Sequence, residues 1–183
     1  MAHKKMDNLT PVVWITGASS GIGAELAKQY SKRNINLILS ARRAEVLFKF
    51  KESSKGGAKI EILPFDINDF DSAPKQVEKA LLFFGRVDVL INNAGISQRS
   101  LIIDSKFDVF KKLIEIDYLG TVALSRAILP YFISQQSGHY VVVSSVMGKF
   151  GSPYRSGYCG AKHALHGFFD VLRMEHQKDN VYV

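Results

Sequence analysis

Residues 11–33, PVVWITGASSGIGAELAKQYSKR, constrain the fold more than any other stretch. Residues 11–16 are a short apolar run rich in β-formers, which reads as a buried strand. The run stops at Gly17, and residues 24–33 then have helical composition. A strand, a glycine-rich turn and a helix open a βαβ unit of the dinucleotide-binding kind. The glycines stand at Gly17, Gly21 and Gly23, in the spacing G-x-x-x-G-x-G. Glycine permits a tight turn and lets the backbone approach a pyrophosphate at a helix N-terminus. Such a turn alone is more often only a turn; the strand before it and the helix after it favour the functional reading.

The alternation continues along the chain. Residues 35–40, INLILS, read as a second strand, and a helix follows over 42–54. Residues 58–65 read as a third strand. The helix over 69–84 is expected to start near Ser72, because Pro74 is tolerated only in a first turn. Residues 87–91, VDVLI, form a short strand that runs into NNAG at 92–95. One long amphipathic helix is predicted over 106–135, with Pro130 bending or tightening its last part. A fifth strand over 138–145, a glycine-rich loop over 148–157 and a helix over 157–178 follow. Residues 180–183 read as the start of a sixth strand, cut short. Alternating strands and helices imply parallel strands joined by right-handed crossovers. The predicted fold is therefore α/β: a Rossmann-like doubly wound sheet in three α/β/α layers, missing its last strands. Residues 1–10 read as a tail, and 11–183 as one domain.

Tyr158-Cys159-Gly160-Ala161-Lys162 sets a tyrosine four residues before a lysine, so on a helix the two share a face. A free tyrosine has a pKa of about 10 and exchanges protons poorly at neutral pH, and a nearby cation favours the phenolate. Of the seven tyrosines, only Tyr158 has lysine at this spacing. The bland alternative is a packed tyrosine with an exposed lysine one turn on.

TGASSGIG at 16–23, NNAG at 92–95, Ser144-Ser145 and Tyr158-x-x-x-Lys162 together resemble the short-chain dehydrogenase/reductase family, over nearly the whole chain from residue 11. The resemblance implies an oxidoreductase that interconverts a carbonyl and an alcohol. Ser145 lies 13 positions before Tyr158, the family's serine–tyrosine spacing. By that resemblance Tyr158 exchanges the proton, Ser145 hydrogen-bonds the reacting oxygen, and Lys162 assists Tyr158 and holds the nicotinamide ribose. Gly17, Ser19, Ser20, Gly21, Ile22 and Gly23 would bind the cofactor at the turn. Asp66 and Ile67 would lie near the adenine, and Asn92, Ala94 and Gly95 beside the cofactor at the fourth strand's end. Asp117 stands where the family usually has asparagine, which there helps hold a water linked to the lysine. An aspartate could keep a backbone-carbonyl contact while changing the local charge. At the end of the second strand an acidic residue binds the ribose of NAD, whereas arginine accommodates the 2′-phosphate of NADP. Ala41 occupies the acidic position and Arg42 comes next, which points to NADP(H). The plainer reading of Arg42 and Arg43 is the start of a solvated helix. The rival functions are a nucleotide-binding sensor or assembly partner without turnover, and a related epimerase or dehydratase.

The net charge of +7 suits a basic surface that attracts an anionic cofactor; no nucleic-acid motif accompanies it. His163 and His166 have no metal-site spacing, and no metal is expected. With Cys159 the one cysteine, no intrachain disulfide can form, and a reducing, cytoplasmic setting is expected. MAHKKMDNLTP carries no apolar run, so neither a signal peptide nor a membrane anchor is expected there. The helices at 106–135 and 157–178 are candidates for self-association.

Overall fold

A computed structural model describes residues 10–183, so most of the expected tail over 1–10 lies outside the described residues. The strands are β1 (Val12–Thr16), β2 (Asn36–Ser40), β3 (Ile60–Ile62), β4 (Val89–Asn92), β5 (Gly138–Val142) and β6 (Val181–Tyr182). Between them run α1 (Gly21–Ser31), α2 (Ala44–Ser53), α3 (Ala73–Phe84), α4 (Phe107–Ile114), α5 (Gly120–Ser134) and α6 (Ser156–His176). The six strands form one sheet in the order β3-β2-β1-β4-β5-β6. Every pairing is parallel, with Ile15 level with Leu39 of β2 and with Ile91 of β4. The fold is the doubly wound, Rossmann-like α/β sheet expected from the alternation. Its order reverses between β1 and β4, where such sheets open a crevice at the carboxyl ends of their strands.

Successive strand residues face opposite sides, so one strand feeds two cores. Val12 and Trp14 pack with Leu90 and Tyr140 against α3, α5 and α6, through Val77, Leu124, Phe132 and Phe169. Val13 and Ile15 pack on the other face, with Leu37, Leu39 and Ile91, against Ala27 of α1 and Leu47 of α2. Because the central strands are buried on both faces, their sequences are almost wholly apolar rather than alternating. On β5, by contrast, Tyr140 is buried while His139 and Val141 are exposed.

Two expectations are corrected. The helix over 106–135 is not uniform: a π turn, Glu115–Leu119, separates α4 from α5, with Asp117 at its centre. Strand five ends at Val142, three residues earlier than expected, and Ser145 instead caps a 3-10 turn, Val146–Gly148. Pro74 stands in the first turn of α3, and Gly85 ends that helix in the left-handed conformation, as the sequence implies. Among the described residues no helix is long and apolar enough to cross a membrane.

Candidate active site

The glycine turn joins β1 to α1. Gly17 takes φ +66°, a left-handed conformation that disfavours a side chain. A Cβ there would also come within 2.8 Å of the Ala94 Cα. At Gly23 a Cβ would meet the Gly17 carbonyl carbon at 2.9 Å, so the helix packs directly onto the turn. Thr16 locks the turn to β4: its hydroxyl donates to the Ile91 carbonyl and accepts from the N–H groups of Asn93 and Ala94. Asn93 donates its side-chain amide to the carbonyls of Thr16 and Gly17, at 3.0 and 3.3 Å. Ser20 precedes α1 without a side-chain cap, so among the described residues the first-turn N–H groups of that helix have no side-chain acceptor.

From this turn a groove runs both ways. One arm, about 530 Å³, is lined by Ser19 and Ala94 together with Arg42, Arg43, Asp66 and Ile67. There Arg42 approaches Asp66 at 3.9 Å, and Arg43 donates to the Ser19 hydroxyl at 3.0 Å. The other arm, about 320 Å³, is lined by Gly21, Ile22, Asp117, Ser144, Tyr158 and Lys162. Gly17, Ser20, Gly95 and Ile96 line both arms.

In the second arm, α6 presents Tyr158 and Lys162 on one face. The Lys162 Nζ lies 5.6 Å from the Tyr158 ring centre and donates to the Val143 carbonyl at 3.0 Å. Lys162 is 5% exposed and Asp117 is fully buried. One Asp117 oxygen accepts the Ile96 N–H at 2.7 Å, and the other lies 3.8 Å from the Lys162 Nζ. Burial pushes the Asp117 carboxyl above its ordinary range, against the opposing pull of the Ile96 N–H and Lys162. Burial likewise pulls Lys162 down, and the Asp117 charge opposes it.

Two sequence-derived placements need adjustment. The Asn92 side chain does not face the groove: it is buried and donates to the Ser125 hydroxyl at 3.0 Å. Asn93 makes the cross-sheet bonds expected of an asparagine here. Gly23 lies beneath the turn and acts by packing. Ser144, bonded to His166 at 3.0 Å, lines the groove, and the adjacent Ser145 is half-buried with its hydroxyl oxygen accepting the Met147 N–H at 3.2 Å. The sequence motifs include Thr16, Asn93, Arg43 and Ser144 but assign none of them a place in the site. Neighbouring residues on a strand face opposite ways, and that parity was a usable signal for Asn93.

The family model described as short chain dehydrogenase matches residues 11–183. The chain belongs to the short-chain dehydrogenase/reductase family. Human dehydrogenase/reductase SDR family member 7 is 48% identical over 169 residues, 90% of this chain and 50% of that protein. Mouse dehydrogenase/reductase SDR family member 7B is 40% identical over 177 residues, 94% of this chain and 55% of that one. The chain thus spans about half the length of these curated relatives. A short-chain dehydrogenase from Streptomyces avermitilis superposes with a TM-score of 0.88 at 30% identity, covering 95% of this chain and 64% of its own. NAD+-bound xylitol dehydrogenase, at 24% identity and TM-score 0.90, shares the fold.

Members of this family are oxidoreductases that bind nicotinamide cofactors. The residues present fit such a group. The uncapped N-terminus of α1 offers N–H groups to a pyrophosphate, and the glycine turn leaves the backbone bare beside it. Arg42 and Arg43 put two guanidinium groups on the far arm, beside the carboxylates of Glu45 and Asp66.

Proposed function

We propose that this chain carries the cofactor-binding and proton-transfer residues of an NADP(H)-dependent oxidoreductase interconverting a carbonyl and an alcohol. The observation that carries this reading is that the glycine turn and the Tyr158–Lys162 pair wall one continuous groove. A nicotinamide cofactor, when bound, supplies or accepts the hydride. Tyr158 gives its proton to the carbonyl oxygen during reduction and takes one from the alcohol during oxidation. The Lys162 ammonium stabilises the negative charge that Tyr158 acquires on giving up its proton. With one N–H on the Val143 carbonyl, Lys162 keeps two for the hydroxyls of a nicotinamide ribose. The Ser145 oxygen accepts from Met147, which leaves its O–H free to donate to the substrate oxygen. At the other end, Arg42 and Arg43 suit a 2′-phosphate, and Ala41 stands at the end of β2 where NAD-binding folds carry an acidic residue.

The test is incubation of the protein with NADPH and a panel of aldehydes and ketones. The expected result is loss of NADPH absorbance matched mole for mole by alcohol. NADPH binding without consumption across the panel contradicts this and favours a sensor. Conversion of a substrate with no net NADPH loss favours an epimerase or dehydratase.

A further inference from the structure

The chemistry around Lys162 includes a charge that the proton transfer itself does not use. Asp117 is wholly enclosed, and one of its carboxylate oxygens has no hydrogen-bond partner among the described residues. That oxygen is the one 3.8 Å from the Lys162 Nζ. Room for it comes from Gly95, where a Cβ would sit 3.2 Å from the same oxygen. Asp117 stands at the centre of the π turn, and the Thr121 hydroxyl donates to its carbonyl at 3.4 Å. Such turns interrupt helices at functional sites.

We propose that Asp117 is the buried counter-charge of this site, a positioning residue that holds Lys162 in its charged form beside Tyr158. The proposal rests on the reading of Tyr158 and Lys162 as the proton-handling pair only for its catalytic consequence. An ammonium taken out of water loses hydration, and an opposite charge within about 4–6 Å restores part of that stabilisation. The other charged groups on the packed elements are Glu115 of the same turn, Asp108, Lys111 and Lys112 of α4, Arg126 of α5, and Asp170, Arg173 and Glu175 of α6. Tyr118 on the turn, Tyr131 on α5, and Tyr158, Cys159, His163, His166 and His176 on α6 are the remaining titratable groups of these elements. Among the described residues, Asp117 alone makes an ion pair with Lys162. His163 is bonded to the Cys159 carbonyl and His166 to Ser144.

The direct test is the titration of Lys162 itself. In protein labelled with 13C-lysine, the Lys162 Cε signal is assigned by its loss in Lys162→Met. Asp117→Asn keeps an oxygen for the Ile96 N–H and removes the charge. In that variant the Lys162 midpoint should fall by about one pH unit or more. The basic limb of the pH–rate profile should move to lower pH with it. An unchanged or raised Lys162 midpoint overturns the proposal. Should Asp117→Asn fail to fold, the reciprocal measurement decides. In 13C-aspartate-labelled Lys162→Met, the Asp117 carboxyl midpoint should rise above that of the unaltered protein, and an unchanged midpoint overturns the counter-charge. Neither titration depends on turnover, so the pairing and the proposed reaction fail separately.

Discussion

Asp117 and Lys162 are two ionisable groups held almost out of reach of water, and their burial makes stability depend on pH. The ordinary value for an aspartate is 3.8, and the Asp117 carboxyl lies above it when the chain is folded. Between those two values the folded chain binds more protons than the unfolded one, so this group's contribution falls as pH rises through the window. Asp117→Asn lacks that dependence. Urea unfolding from pH 4 upwards should therefore show the unaltered protein losing stability relative to the variant, and a relative gain contradicts this. At the other end of the groove, Arg42→Asp removes a cation proposed to meet the 2′-phosphate. It should weaken NADPH binding about 10- to 100-fold in calorimetric titration while sparing NADH. Equal affinities of the unaltered protein for the two cofactors would contradict the assignment. Sequence made Tyr158 and Lys162 legible because a four-residue spacing on a helix fixes a shared face. It misassigned Asn92 because two adjacent asparagines are chemically alike. Only the register at the end of β4 decides that Asn93 reaches the turn while Asn92 reaches Ser125.

The β1-turn-α1 unit behaves as one piece, because α1 rests on the turn at Gly23. Gly23→Ala would drive a methyl group into the Gly17 carbonyl and the Asn93 amide. Backbone cannot swing aside as a side chain can, so the unit must open. The expected cost is about 1–3 kcal/mol of stability, together with loss of NADPH binding, read by chemical denaturation and by titration. Unchanged values for both would mean that the contact is not needed. The unit was visible in the sequence because a β-rich apolar run, glycines and helical composition each carry a local signal. The π turn was not, since Glu115–Leu119 continues the apolar periodicity of its flanks. What defines it is a change in hydrogen-bond partner, for which composition carries no mark. The early end of β5 escaped for a related reason: Val143 and Ser144 have strand-like surroundings in sequence, but the chain turns off the sheet there.

At the scale of the molecule, the reversal of strand order between β1 and β4 brings the groove's parts together from distant sequence. Gly17 follows β1, Arg42 lies just beyond β2 and Asn93 follows β4, while Tyr158 enters from α6. No local pattern joins these residues; the parallel sheet does, by placing the carboxyl ends of its strands on one side. Under the proposed function, this assembly moves a proton through Tyr158 while NADP(H) carries the hydride. Tyr158→Phe removes the transferable proton and retains the ring beside Lys162. Parallel measurement of NADPH binding and of NADPH-dependent carbonyl reduction, in the unaltered protein and in Tyr158→Phe, decides whether Tyr158 is that proton carrier. The variant should bind NADPH within a few-fold of the unaltered protein and lose turnover by about 10²- to 10⁴-fold; near-normal turnover would mean that another group supplies the proton.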